Sequence, residues 1–94
     1  MPIIIAENIK QKLSDKHNVT EKEVLQCFSN IEGGLLKDTR ENHQTLPPTL
    51  WFLAPTNGGR YLKIVFIQID EDVHIKTAYD ANDDEIRIYK KFAM

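Results

Sequence analysis

Hydrophobic positions along the chain recur with two periods, and the switch between them marks the elements. Ile5, Ile9 and Leu13 return every four residues, which predicts a first helix ending near Lys16 after a short opening strand over Pro2 to Ile5. Val24, Cys27, Phe28 and Ile31 fall at i, i+3, i+4 and i+7 and predict a second helix over Thr20 to Asn30. At the junction Asn18 suits the left-handed end of a helix, Thr20 with Glu23 reads as a capping box, and Val19 with Val24 as a hydrophobic staple. Beyond Gly33-Gly34, branched and aromatic residues predict strands over Leu35 to Arg40, Thr49 to Ala54, Arg60 to Gln68 and Asp72 to Tyr79. Pro47-Pro48, Asn57-Gly58-Gly59 and Asp70-Glu71 are the turn signals among them. The last strand leads into a second capping box, Asn82 with Glu85, and a final helix over Asn82 to Ala93. Ile86, Tyr89 and Ala93 form its apolar stripe, with Ile88 and Phe92 beside it.

The expected fold is α+β in a single domain over residues 1–94: N-terminal helices packed on an antiparallel sheet of about four strands, with a C-terminal helix docked on the sheet or its edge. If the final hairpin has an even-numbered loop, Leu62, Ile64 and Phe66 share the core face with Val73, Ile75 and Thr77. The opposite face then collects Tyr61, Lys63, Val65, His74, Lys76 and Ala78, joined by Trp51 and Leu53 if Leu50 and Phe52 face the core.

Composition narrows the classes. A hydrophobic fraction of 41% with 28% charged residues is ordinary for a soluble globular protein. The single cysteine, Cys27, falls at an apolar helical position, gives no metal-ligand spacing and fits a reducing cytoplasm. No apolar run approaches the roughly 20 residues of a membrane span, and Met1 to Ile5 is too short for a signal-peptide core, so a cytoplasmic protein without membrane association is expected. The formal net charge of -2 excludes a broadly basic surface and requires any nucleic-acid contact to use a local patch, for which Arg60, Lys63, Lys76, Arg87, Lys90 and Lys91 are the candidates. There is no Cys-x-x-Cys, His-Glu-x-x-His, Walker or dinucleotide glycine pattern, so no cofactor and no metal is expected. The carboxylates at 70–72 and 80–85 read as acidic turns and helix starts.

Several short motifs occur in an order that carries a family resemblance. Lys16-His17-x-Val19-Thr20, Asp38-x-Arg40, Trp51, Gly59-Arg60-x-Leu62 and the run from Thr77-Ala78 to Tyr89 together resemble the BrnT-type toxins, a branch of the RelE-like ribonuclease toxins of bacterial type II toxin-antitoxin systems. The resemblance implies a RelE/BrnT-like fold and a metal-independent endoribonuclease that cleaves mRNA and inhibits translation. It also implies two partners: RNA, on or off the ribosome, and a cognate DNA-binding antitoxin encoded next to the toxin. Some relatives of this kind carry the label ADP-ribosyl-(dinitrogen reductase) hydrolase, whose genuine bearers resemble a much larger helical, magnesium-dependent fold than this chain holds.

Metal-independent RNA cleavage needs a base for the 2′-hydroxyl proton, an acid for the leaving 5′-oxygen, and cations around the crowded phosphate. His74 suits acid or base work because an unperturbed imidazole titrates at about 6.5. Lys63 and Lys76 complete the catalytic candidates, and Arg60, Trp51, Tyr79 and Arg87 are the candidates for RNA binding. Five of them have a structural alternative: a solvated outer face for His74 and Lys76, a hairpin arginine at Arg60, a surface ion pair with Asp83 or Asp84 for Arg87, and a core position for Tyr79. His17 suits the dipole at a helix C-terminus, Asp38 and Arg40 an intrastrand pair, and His43 an exposed loop. BrnT-type toxins tend to have an arginine where this chain has Tyr79. A tyrosine stacks on a base or donates a proton, but cannot grip a phosphate at two points. The alternative is therefore a catalytically impaired toxin-fold binding module that acts through protein pairing or gene regulation.

Overall fold

The computed structural model describes residues 2–39 and 46–94, and among them the chain forms three helices and one five-stranded mixed sheet. The strands are β1 (Ile3–Ile4), β2 (Leu36–Lys37), β3 (Thr49–Pro55), β4 (Tyr61–Ile69) and β5 (Asp72–Asp80), and the helices are α1 (Glu7–His17), α2 (Glu21–Ser29) and α3 (Asp83–Phe92). Their order across the sheet is β1-β5-β4-β3-β2. The α+β class matches the pattern of the sequence; the sheet differs from the expected four antiparallel strands. Ile3 and Ile4 align parallel to Val73 and His74, and the Val73 N–H donates to the Pro2 carbonyl at 2.8 Å. The opening segment thereby satisfies backbone groups along the outer edge of β5 that would otherwise stay unpaired. Of the strand expected over Leu35 to Arg40, the described residues form β2, whose two residues pair with Leu50 and Trp51. Arg40 and His43 lie outside the described residues.

The central hairpin corrects the expected division of faces. Asp70 and Glu71 form the two-residue turn, with Asp70 in the left-handed region at φ 55°. From the turn outwards Gln68 pairs with Val73, Ile67 with His74 and Phe66 with Ile75, as an even loop requires. The register then shifts: Val65 pairs with Thr77, Ile64 with Ala78 and Lys63 with Tyr79. Lys76 is the extra residue, a β-bulge that reverses the alternation of β5 beyond it. Ala78, expected beside Lys63, is instead fully buried with Ile64, and Thr77, expected in the core, joins Tyr79 on the Lys63 face.

The helix ends follow from their capping residues. Asn18 adopts φ 52°, ψ 42° after α1, and the next N–H, from Val19, donates to the Leu13 carbonyl at 3.0 Å. Both capping boxes are complete: Thr20 Oγ1 accepts from Glu23 N at 3.1 Å, and Asn82 Oδ1 from Glu85 N at 2.8 Å, with each glutamate returning to its cap residue. Val19 and Val24 are buried as a staple requires. α1 lies along β5, and α2 sets Phe28 edge-on against Phe52 and Phe66. Buried Cys27 donates from Sγ to the Ala54 carbonyl, and burial pushes its thiol up to about 11, helped by nearby Glu23.

The other face of β3 receives α3 through Tyr89. Its ring lies 5.8 Å from that of Trp51, and its hydroxyl donates to the Gly34 carbonyl at 2.7 Å. Gly34 N in turn donates to the Ala93 carbonyl, so the segment before β2 holds the end of α3. No side chain fits at Gly33, where a Cβ would stand 2.7 Å from the Tyr89 hydroxyl and 2.8 Å from the Ala93 carbonyl, whereas at Gly34 the nearest approach is 3.7 Å. Gly33→Ala should therefore lower stability by about 1–3 kcal/mol through overpacking, and Gly34→Ala by much less. Urea midpoints of the two variants check this; equal midpoints would refute the seating of α3 on Gly33.

Candidate functional site

On the face of the sheet beneath α3, one lysine is enclosed by groups from three parts of the chain. Lys63 lies mid-strand between Leu62 and Ile64, a position that buries its side chain to 8% exposure. An ammonium taken out of water needs a counter-charge. Glu85 supplies it from the first turn of α3: Lys63 Nζ stands 2.8 Å from Glu85 Oε2, with the glutamate side chain 14% exposed. The Tyr79 hydroxyl donates to the same oxygen at 2.9 Å, while Oε1 accepts the Asn82 N–H at 3.0 Å as half of the capping box. Trp51 offers its ring to the ammonium at 4.5 Å, a cation–π contact.

These contacts set the protonation of the cluster. Burial works against the Glu85 charge, but the hydrogen bonds from Lys63, the Asn82 N–H and Tyr79 outweigh it and hold the carboxyl below its usual range. Burial raises the Tyr79 phenol, and its bond to the Glu85 carboxylate raises it further. The hydroxyl is therefore a hydrogen-bond donor at neutral pH.

Beside the pair opens a cavity of about 650 Å³, which Lys63, Glu85 and Trp51 line together with Leu36, Ile88 and Phe92. Phe92 is exposed at its rim. A space of this size suits a small ligand or a nucleotide segment; its lining combines apolar groups with the ion pair and with Lys37 and Asp38.

The remaining sequence candidates are dispersed. His74 pairs with Ile67, four positions along β4 from Lys63, or roughly 13 Å at strand rise. It is half-buried next to Ile4 of β1. Lys76 is exposed on the bulge. Arg87 is exposed and pairs with Asp84 at 3.0 Å. The imidazole of His17 lies against the Tyr79 ring, 5.6 Å between centroids.

Arg60 is engaged in holding the fold. Its guanidinium donates to the carbonyls of His17 and Asn18 at 2.8 and 2.6 Å, to Asp80 at 2.8 and 2.9 Å, and to Glu23 at 3.4 Å. The bond to Asp80 is the main cause that raises its already high pKa, and Arg60 lowers the Asp80 carboxyl in return. The His17-x-Val19-Thr20 and Gly59-Arg60 motifs thus meet in space, with the arginine tying the α1–α2 junction to the end of β5.

Glu85 is the residue that sequence reasoning assigned to capping alone. The signal that reveals its second role is Lys63 itself, a cation flanked by apolar residues inside a strand, which demands a carboxylate from another element. Among the described residues no three His, Cys, Asp or Glu side chains gather closely enough to hold a metal ion, and no helix is long and apolar enough to cross a membrane.

Removing one partner of the enclosed pair leaves the other charge uncompensated, so Lys63→Met and Glu85→Gln should each cost about 3 kcal/mol, and the double variant clearly less than their sum. Because the Glu85 carboxyl is held below 4.5, its ordinary value, its contribution is complete above that pH and is lost as pH falls through the lower folded value. Denaturant melts of the four proteins at pH 7 and pH 3 check both points. Additive single costs, or an unchanged acid dependence in Glu85→Gln, would contradict the coupling.

Searches for relatives supply no family for this arrangement. No family model matches the chain, and no curated protein matches it significantly.

Proposed function

We propose that this chain is the toxin component of a type II toxin-antitoxin system, of RelE/BrnT-like fold, and that it acts on RNA in the cytoplasm as a metal-independent endoribonuclease. The observation that carries the reading is the meeting of Lys63 and Trp51 at the wall of a ligand-sized cavity, with the Tyr79 hydroxyl bound to the same Glu85 oxygen as the lysine. A cation, a hydroxyl proton donor and an aromatic face are the groups that a phosphodiester and an unstacked base require. The ordered motifs shared with BrnT-type toxins support the same reading. In it Lys63 stabilises charge on the phosphate and the Tyr79 hydroxyl donates a hydrogen bond to it. A cognate antitoxin would cover the cavity and suppress the activity.

A second reading is favoured by how the cations are used. Lys63 is neutralised by Glu85 and the Arg60 guanidinium is engaged by backbone and carboxylates, so these two cations carry no free positive charge for a phosphate. That arrangement suits a catalytically impaired toxin-fold module that works through protein pairing or gene regulation.

Induced expression in bacteria separates the two. For the ribonuclease, growth should stop with loss of mRNA, and Lys63→Ala should lower cleavage by the purified protein about 100-fold or more, with Tyr79→Phe also impaired. His74→Ala and Lys76→Ala, whose residues stand apart from the cavity, should retain most activity. Growth and RNA unaffected by the wild-type protein would leave the binding module; full activity in a folded Lys63→Ala variant would remove Lys63 from the chemistry.

A further inference from the structure

We propose that Lys63 and Tyr79 form an oxyanion-binding site that the chain's own Glu85 carboxylate fills, and that a phosphate group of a ligand in the adjoining cavity takes the same position by displacing it. The inference depends on the RNA reading only for the identity of the natural ligand. Its basis is the division of labour between the two glutamate oxygens. Oε1 serves the helix cap, whereas Oε2 receives both the Lys63 ammonium and the Tyr79 hydroxyl, at 2.8 and 2.9 Å. Two donors from neighbouring strands thus converge on a single anionic oxygen, the arrangement that binds a phosphate oxygen as readily as a carboxylate.

Two further observations separate this from an ion pair that serves only to hold the fold. The pair forms part of the wall of the 650 Å³ cavity, so an anion tethered to a larger ligand can reach it without opening the main core. Thr77 Oγ1, two residues before Tyr79 on the same face of the sheet, is buried with no hydrogen-bond partner among the described residues. Displacement needs movement only at the start of α3, because the helix is held at its other end by Tyr89 and Ala93. The Asn82 side chain still caps the Glu85 N–H when the carboxylate leaves.

Inorganic phosphate is the probe, and Trp51, the only tryptophan in the chain and in contact with the Lys63 ammonium, is the reporter. Glu85→Gln removes the competing charge while keeping an amide oxygen for the Asn82 N–H. Titrated against chloride at constant ionic strength, Glu85→Gln should bind phosphate at least about tenfold more tightly than wild type, with a saturable change in Trp51 fluorescence and a matching rise in thermal midpoint. Glu85→Asp, which keeps a carboxylate at the cap but draws it back from Lys63, should fall between them and serves if the glutamine variant folds poorly. The Lys63→Met/Glu85→Gln double variant should lose the response. Phosphate affinity in both Glu85 variants no tighter than wild type, or an equal response in the double variant, would overturn the proposal. Tight phosphate binding by Glu85→Gln from a protein that neither arrests growth nor cleaves RNA would uphold the site and remove the ribonuclease reading instead.

Discussion

A primary ammonium enclosed between a sheet and a helix is the constraint to which much of this structure answers. Lys63 cannot stay charged there without an anion within contact distance, and the anion comes from α3. The position of the helix is thereby fixed at both ends by different physics, electrostatic at Glu85 and steric at Tyr89, whose ring and hydroxyl fill the space against Trp51 and Gly34. The bulge at Lys76 belongs to the same solution. Were Lys76 paired in regular register, with no shift, Tyr79 would face the opposite layer and Ala78 would lie next to the ammonium, with neither a proton donor nor a neighbour to fill the space.

Lys63 and Arg60 illustrate different uses of positive charge. Arg60 spreads its planar group over carbonyls and carboxylates from three segments, which suits a guanidinium with five fixed donors. Lys63 is a compact charge aimed at one oxygen beside a cavity. Only the second geometry leaves a position that an outside anion can occupy. A net charge of -2 is thus compatible with a phosphate-directed site, because the relevant quantity is the local balance at one oxygen.

Much of the architecture could be read along the chain because its signals are local. The capping boxes at Thr20 and Asn82, the left-handed Asn18, and the Asp70-Glu71 turn act within a few residues, and each stands where the pattern placed it. The pairing of Ile3 and Ile4 with β5 was not legible, since a two-residue strand has no period of its own and its partner lies 70 residues away. Nor was the bulge, because strict alternation through Lys76 is as consistent with the sequence as the shift that occurs. The candidate site was legible as a set of residue types on adjacent strands. Its membership was not: the reversal at Lys76 removes Ala78 from the Lys63 face and adds Thr77, and the length of the strands separates His74 from Lys63.

The Arg60 clamp has a consequence for the order of events in folding. Its bonds join residues 20, 37, 42 and 43 positions apart in sequence, and their geometry exists only when the α1–α2 junction, the β3–β4 turn and the end of β5 have all arrived. Loops of that length must close before the guanidinium gains anything. The clamp therefore belongs to the late side of the folding barrier, where an interaction leaves the folding rate almost untouched and acts by slowing the return to the unfolded chain. On that order of events the arginine is expected to govern the lifetime of the native state more than the speed of reaching it.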